Sequence, residues 1–405
     1  MPATKEYKHR KRDTSAPESS VMKLSTDRVL TTHVGSLPRA EATLKLLEAR
    51  ENRQTYDVAA FDRAITQAVR DVVKRQVGTG IDIVSDGEAS KISYATYVHD
   101  RLSGFSEEGT TEPGKPHLDL APFPDLRHKM AKLTGPRPFK RVTCIGPIAV
   151  KDREALRRDL ANMRSAVDAA QPTEAFLTAA SPGVVASFLP NRHYTRHEDY
   201  VGAVADAMRE EYAAIVDAGF VLQLDCPDLA MSRHTGFQDL SEADFLKRAA
   251  FDAEALNHAL GKIPPDRVRI HVCWGNYEGP HTHDIDLKKI ISIVFGVRAQ
   301  GIALEAANPR HEHEWAVWNE VKLPDDKLLL PGVIDTSTNY VEHPELVGQR
   351  IVRFARAIGR ERVIANTDCG FGTAAGHGKL DAGVVYLKLG ALAEGAALAS
   401  KELWG

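Results

Sequence analysis

The chain has 405 residues, 43% of them hydrophobic and 26% charged, which supports a large core and excludes a disordered polymer. Lys plus Arg number 52 against 55 Asp plus Glu, a formal net charge of -3, so no general pull toward nucleic acid or an anionic membrane exists. Four cysteines make no disulfide scaffold, no run of roughly 18 apolar residues occurs, and the start is polar and basic rather than signal-like, which reads as a cytoplasmic protein.

Residues 1–26 carry Lys5, Lys8, Arg10, Lys11 and Arg12, then Ser, Thr and Pro without apolar periodicity, and predict a flexible basic tail. Short apolar runs follow at 29–34, 81–85, 175–179, 220–225, 268–273, 301–305, 329–334 and 363–367. Helical periodicity fills 56–77, 198–217, 243–261, 286–299, 345–359 and 379–398. Strands of four to seven residues separated by helices predict parallel βα units with right-handed crossovers. Eight such strands close a (β/α)8 TIM barrel; an open doubly wound sheet shares the periodicity, because periodicity does not see closure. Residues 101–170 read as an insertion after the second βα unit. It begins with a stretch rich in Gly, Pro and charge, continues as an extra strand at 141–149, and ends in an amphipathic helix at 152–169. Residues 27–405 thus form one elaborated catalytic domain.

The polar residues at the ends of these runs carry the chemical information, since a barrel builds its active face from the C-terminal ends of its strands. They are His33-Val34-Gly35-Ser36, Asp86-Gly87-Glu88, Ser181-Pro182-Gly183, Asp225-Cys226-Pro227-Asp228, His271-Val272-Cys273, Glu305, Asp335 and Asp368-Cys369-Gly370. His271 and Cys273 lie two apart in an extended run, so imidazole and thiolate point the same way. Zinc accepts that mixture of nitrogen and sulfur, and Cys369 and Glu305 are the natural further ligands. His281, His283, His311 and His313 read as polar groups of the rim, not as a second metal site. Cys144 and Cys226 read as packing residues. GxGxxG is absent and Gly370, Gly372 and Gly376 shape the last βα loop, so neither a nicotinamide nor an ATP site is expected.

With HVC, LEA, GVID and DCGFG in this order and at these gaps, the chain resembles the cobalamin-independent methionine synthases, over about residues 27–400. The likeness is to their catalytic C-terminal barrel and its single-barrel relatives, which include epoxyalkane:coenzyme M transferase-like proteins. It implies a zinc ion on His271, Cys273, Glu305 and Cys369, and transfer of a methyl or other alkyl group to a thiol through a zinc-bound thiolate. Gly35-Ser36, Gly87-Glu88 and Leu224-Asp225-Cys226-Pro227 match the positions that hold the amino-acid end of homocysteine, making Ser36, Glu88 and Asp225 substrate-binding candidates. Asp228, Phe188 and Asn339 join them as lining residues, and His343 is a candidate proton donor beside the catalytic carboxylates Glu88 and Asp225.

The chain also departs from the synthase pattern. The family's D-E-P is Asp225-Cys226-Pro227, its D-x-H is Asp335-Thr336-Ser337, and the duplicate N-terminal barrel of the folate-using enzymes is missing. These departures concern the alkyl donor, whether folate, corrinoid or another, more than the thiol chemistry. An epoxide:thiol transferase or a C–S lyase of the same family is the alternative. The expected partners are two small molecules, a thiol and an alkyl donor, with room for a homo-oligomer and with neither nucleic acid nor membrane.

Overall fold

A computed structural model describes residues 21–110, 117–135, 137–378 and 380–405. The strands are β1 (Leu30–Thr31), β2 (Ile83–Val84), β3 (Phe105–Gly109), β4 (Val142–Cys144), β5 (Glu174–Ala180), β6 (Val221–Asp225), β7 (Val268–Val272), β8 (Gly301–Leu304), β9 (Leu328–Ile334) and β10 (Ile364–Thr367). Eight of them form one parallel sheet in the order β1-β10-β9-β8-β7-β6-β5-β2. Its two edges meet: Asp82 N–H donates to Thr31 O at 3.2 Å, and Thr32 Oγ1 donates to Ile83 O at 3.0 Å. The result is a (β/α)8 barrel. All eight expected apolar runs are barrel strands, because a parallel sheet covered on both faces needs side chains that are apolar in both directions.

The helical ring comprises Val58–Gly78, Glu154–Ala170, His197–Asp217, Glu242–Leu260, Leu287–Gly296, Pro344–Ile358 and Ala382–Trp404, with a 3-10 stretch, Glu312–Asn319, between β8 and β9. The helix at 154–170 packs beside Val58–Gly78 as the second barrel helix, so it is not part of an insertion. What is inserted is an antiparallel hairpin, β3 with β4, and between its strands the short turn Leu118–Leu120 and the helix Pro124–Thr134. The last helix, Ala382–Trp404, is long and apolar enough to cross a membrane by length and composition. Here it packs on β1, β9 and β10, with Val385, Leu389 and Leu392 fully buried.

The boundary expected at residue 26 falls too late. Residues 1–20 lie outside the described residues, but Met22 is 2% exposed and joins Leu30, Ile83, Phe176, Val221, Ala303, Leu328, Leu330 and Ile364 in one apolar cluster. Its N–H bonds Asp266 O, and Ser25 Oγ bonds Val363 O at 2.6 Å. This segment plugs the N-terminal end of the barrel, a contact that no periodicity announces. Above the plug lies Arg269, fully buried, its guanidinium bonded to Gln223 Oε1, Thr32 Oγ1 and His33 O and 3.5 Å from the centre of the Phe176 ring. The bottom of the barrel is therefore packed around a hydrogen-bonded guanidinium, which leaves the opposite end for chemistry.

Candidate active site

At the C-terminal end, β7 delivers His271 and the residue after it delivers Cys273; β10 leads into Cys369. The strand alternation puts His271 and Cys273 on the same side, as the spacing requires. The two sulfurs stand 3.7 Å apart, and one ligand atom from each of His271, Cys273 and Cys369 lies within 4.8 Å of the others. All three residues are buried. Neither ring nitrogen of His271 has a hydrogen bond of good geometry. Burial, reinforced by Arg269, holds this imidazole at a pKa of about 3, so it is neutral. A buried polar group without a partner costs on the order of 1–3 kcal/mol, and here one nitrogen and two sulfurs converge on a point that could hold a metal ion.

Glu305, just past β8, sits beside Cys273, although it is not in that compact group. Its Oε1 accepts Trp274 N–H at 2.7 Å and its Oε2 accepts Asn308 Nδ2 at 2.9 Å. Asp368 fixes the same loop, accepting the N–H groups of Ala306, Ala307 and Asn308, each at 2.8 Å. The donor set therefore fits zinc in the arrangement of a catalytic site, three close protein ligands and a further position occupied by an exchangeable group.

Ser36 lies against the loop of Cys369. Its Oγ accepts Gly372 N–H at 3.3 Å, and any Cβ at Gly370 would lie 2.0 Å from that oxygen, so Gly370 is there for close approach. Glu88 has φ +56, a conformation that costs a non-glycine residue on the order of 1–3 kcal/mol. Its Oε1 accepts Thr178 Oγ1 at 3.0 Å, while Oε2 has no hydrogen bond and stands 3.8 Å from Arg39 Nη2. Asp225, at the end of β6, accepts Gln223 Nε2 at 3.1 Å. Burial first, and Glu88 second, push its carboxyl well above the ordinary carboxylate range. The nearby ammonium, Lys91 Nζ, is spent on Thr178 O and Oγ1 at 2.6 and 3.2 Å. Two acids thus share a dry pocket whose neighbouring cations, Arg39 and Lys91, donate to backbone and hydroxyl oxygens rather than to the carboxylates.

Three expected residues are elsewhere. Asp228 accepts Ser181 Oγ at 2.5 Å and packs against Gly183 beside Asp252 of an outer helix, away from the two acids. Asn339 is exposed and its Oδ1 accepts Asp381 N–H at the start of the last helix. His343 is an exposed N-cap, its Nδ1 accepting Glu345 N–H at 3.3 Å. Each looked like a strand-end group because capping side chains and catalytic ones use the same residue types. Phe188 is half-buried and meets Tyr94 edge-on, ring centres 5.6 Å apart.

Tyr94 itself escaped notice, since residues 90–97 carry no periodicity. Burial first, then the nearby Cys273, Cys369 and Asp225, raise its phenol far above the ordinary value. Asn276 was also missed; its amide donates to Gly370 O at 2.7 Å and accepts Thr336 Oγ1 at 3.0 Å, tying three loops together. Cys144 and Cys226 are buried packing residues, as their surroundings in the sequence indicate.

Residues 29–112 and 143–382 match the family described as the cobalamin-independent synthase catalytic domain. The chain belongs to that family. Methionine synthase of Saccharolobus solfataricus is 24% identical over 380 residues, 92% of this chain and 95% of that protein. The methionine synthase of Sulfolobus acidocaldarius is also 24% identical, over 84% of this chain and 85% of its own length. Among solved structures, a B12-independent methionine synthase from Shewanella sp. W3-18-1 in complex with selenomethionine shares the fold. It covers 93% of this chain and 99% of its own, with a TM-score of 0.67 and 21% identity. The family match skips residues 113–142, within the insertion.

Proposed function

We propose that this family member methylates a thiol, most simply the sulfur of homocysteine or a similar aminothiol, with zinc held by His271, Cys273, Cys369 and a displaceable Glu305. The observation that carries the reading is the orphaned, neutral His271 facing two thiols 3.7 Å apart at the mouth of a barrel. Zinc in that position supplies Lewis acidity, which lets an arriving thiol lose its proton near neutral pH without a strong base. The two cysteines and Glu305 make the environment electron-rich, which favours alkylation of sulfur over hydrolysis.

The protein's own groups then position the thiol. Glu88 and Asp225 are set to receive an α-ammonium, which supplies the hydrogen bonds that Arg39 and Lys91 donate elsewhere, and Ser36 is placed to donate to the carboxylate. Tyr94 and Phe188 wall the opposite side and keep water from the sulfur. For the alkyl donor, Asp335 is committed to Ser337 and Thr338 of its own loop, and His343 is outside the site. A donor whose leaving group needs no strong general acid, such as a corrinoid, suits this mouth better than a methyl-folate, since a positioned acid contributes roughly 10²–10⁴ in rate. The synthase relatives favour methyl transfer over epoxide opening or C–S lysis.

Metal analysis of Cys273→Ser and Cys369→Ser beside wild type tests the site. One zinc per chain is expected at this cysteine site in wild type, and its loss in both variants; unchanged zinc content in both overturns the assignment. Methyl transfer to homocysteine is then assayed with corrinoid and folate donors. Folate turnover at about 1 s⁻¹ or more would reverse the donor preference.

A further inference from the structure

A second cluster of ligand-type side chains lies outside the site just described. We propose that Asp119, His234 and Asp284 form a sulfur-free site for a divalent transition-metal ion, which fastens the inserted segment to the barrel rim. Asp119 stands in the turn Leu118–Leu120 of the insertion, His234 in the short helix Ser232–Thr235 after β6, and Asp284 in the loop after β7.

The donors converge. His234 Nδ1 is 3.0 Å from Asp284 Oδ1 and 3.8 Å from Asp119 Oδ2, and one ligand atom from each residue lies within 4.8 Å of the others. His234 is 0% exposed, yet neither ring nitrogen has an aligned hydrogen bond; Asp284 Oδ1 has none either. An ordinary ion pair would place the N–H in line with the oxygen. Two donor atoms this close, buried and not aligned on each other, are instead aimed at a common third point. His117 adds a fourth candidate, with an unpartnered buried Nδ1 and its ring centre 5.9 Å from that of His234.

The remaining lone pairs are held from behind. Asp284 Oδ2 pairs with His281 Nδ1 at 2.8 Å and His311 Nε2 at 3.0 Å, and His311 Nδ1 in turn meets Glu314 Oε2 at 2.8 Å. Asp119 Oδ1 accepts Thr282 Oγ1 at 3.0 Å and His283 N–H at 2.9 Å, while Oδ2 accepts Tyr277 OH at 2.7 Å. Such outer partners orient carboxylate ligands: they leave Asp284 Oδ1 free and fix Asp119 Oδ2, which also accepts Tyr277 OH, toward the same point. One nitrogen and two carboxylates make a harder donor set than the cysteine-containing site, suited to manganese, iron, cobalt or zinc. The histidines expected to be rim groups thus serve a different purpose: His311 is buried and backs Asp284, and only His313 is a plain exposed residue among the four. Asp119 falls in the stretch that the family match skips, whereas His234 and Asp284 lie within the matched residues.

Cobalt titration of the metal-free full-length chain separates the two sites, because only cobalt on cysteine gives intense sulfur-to-metal charge-transfer absorption. Wild type should take two equivalents, one with that band and one without it. His234→Ala and Asp284→Asn should each take one equivalent with the band unchanged, and Cys273→Ser with Cys369→Ser should retain the one without it. Asp119→Asn, on the inserted turn and outside the barrel, should weaken the second equivalent at least tenfold and guards against misfolding of the other variants. A single equivalent in wild type that carries the band, or a bandless one indifferent to both His234→Ala and Asp119→Asn, overturns the proposal. Loss of the banded equivalent alone would count against the thiol site and leave this one standing.

Discussion

The two ends of the barrel interior are built on opposite terms. At the N-terminal end Met22 closes an apolar cluster, and the nitrogens of the buried Arg269 guanidinium are all hydrogen-bonded. At the C-terminal end neither ring nitrogen of His271 has a well-aligned hydrogen bond, Glu88 has an idle oxygen on a strained backbone, and Asp225 is a buried acid whose carboxyl is pushed well up by burial and Glu88. The same strands make both ends, so the difference lies in what their side chains are left wanting. A fully satisfied buried group stabilises a fold; an unsatisfied one waits for a ligand. Destabilising features gathered at one end and compensated at the other mark that end as the working one.

The comparison predicts that damage at one end stays there. Met22→Ala should cost about 2–5 kcal/mol of folding stability, measured by urea denaturation, with metal stoichiometry unchanged. A cost near zero would mean that the plug is incidental. Asp368→Asn should leave stability nearly intact and weaken zinc roughly 10–100-fold in chelator competition, because it disturbs the loop that presents Glu305. Asp225→Asn should weaken an aminothiol by about 1–3 kcal/mol in calorimetry and leave a sulfonate thiol such as coenzyme M unharmed. Equal effects on both thiols would remove the ammonium from the pocket.

The smallest effect sharpens the contrast by pH. Glu174, at the N-terminal start of β5, accepts Lys23 N–H, and burial raises its carboxyl from 4.5 to about 7. A carboxyl whose pKa is higher folded than unfolded holds its proton more tightly in the fold. Its contribution to stability is therefore full below about 4.5 and is lost as pH rises through about 7. Glu174→Gln should flatten that part of the stability profile and spare the part due to the acids above. An unchanged slope would show that Glu174 is solvated in both states.

How much of this could be read beforehand differs by distance along the chain. His271 and Cys273 were legible because a two-residue spacing in a strand sets direction by itself, and Cys369 and Glu305 followed from sitting at further strand ends. Asp228, Asn339 and His343 misled because helix caps and turn ties draw on the same polar residues as catalysis. Tyr94 and Asn276 act from aperiodic loops, where sequence carries little direction.

The sequence by itself determined the eight strands, their parallel direction and the chemistry available at their ends, since alternation and burial are local properties of the chain, while their order and closure were left open. Only the tertiary structure decided that residues 21–26 close the barrel, that the helix at 154–170 belongs to its wall, and that Asp119 meets His234 and Asp284. Those are contacts between residues dozens to hundreds of positions apart. They depend on how loops of particular length lie over a closed sheet, and no local periodicity encodes where a loop comes to rest.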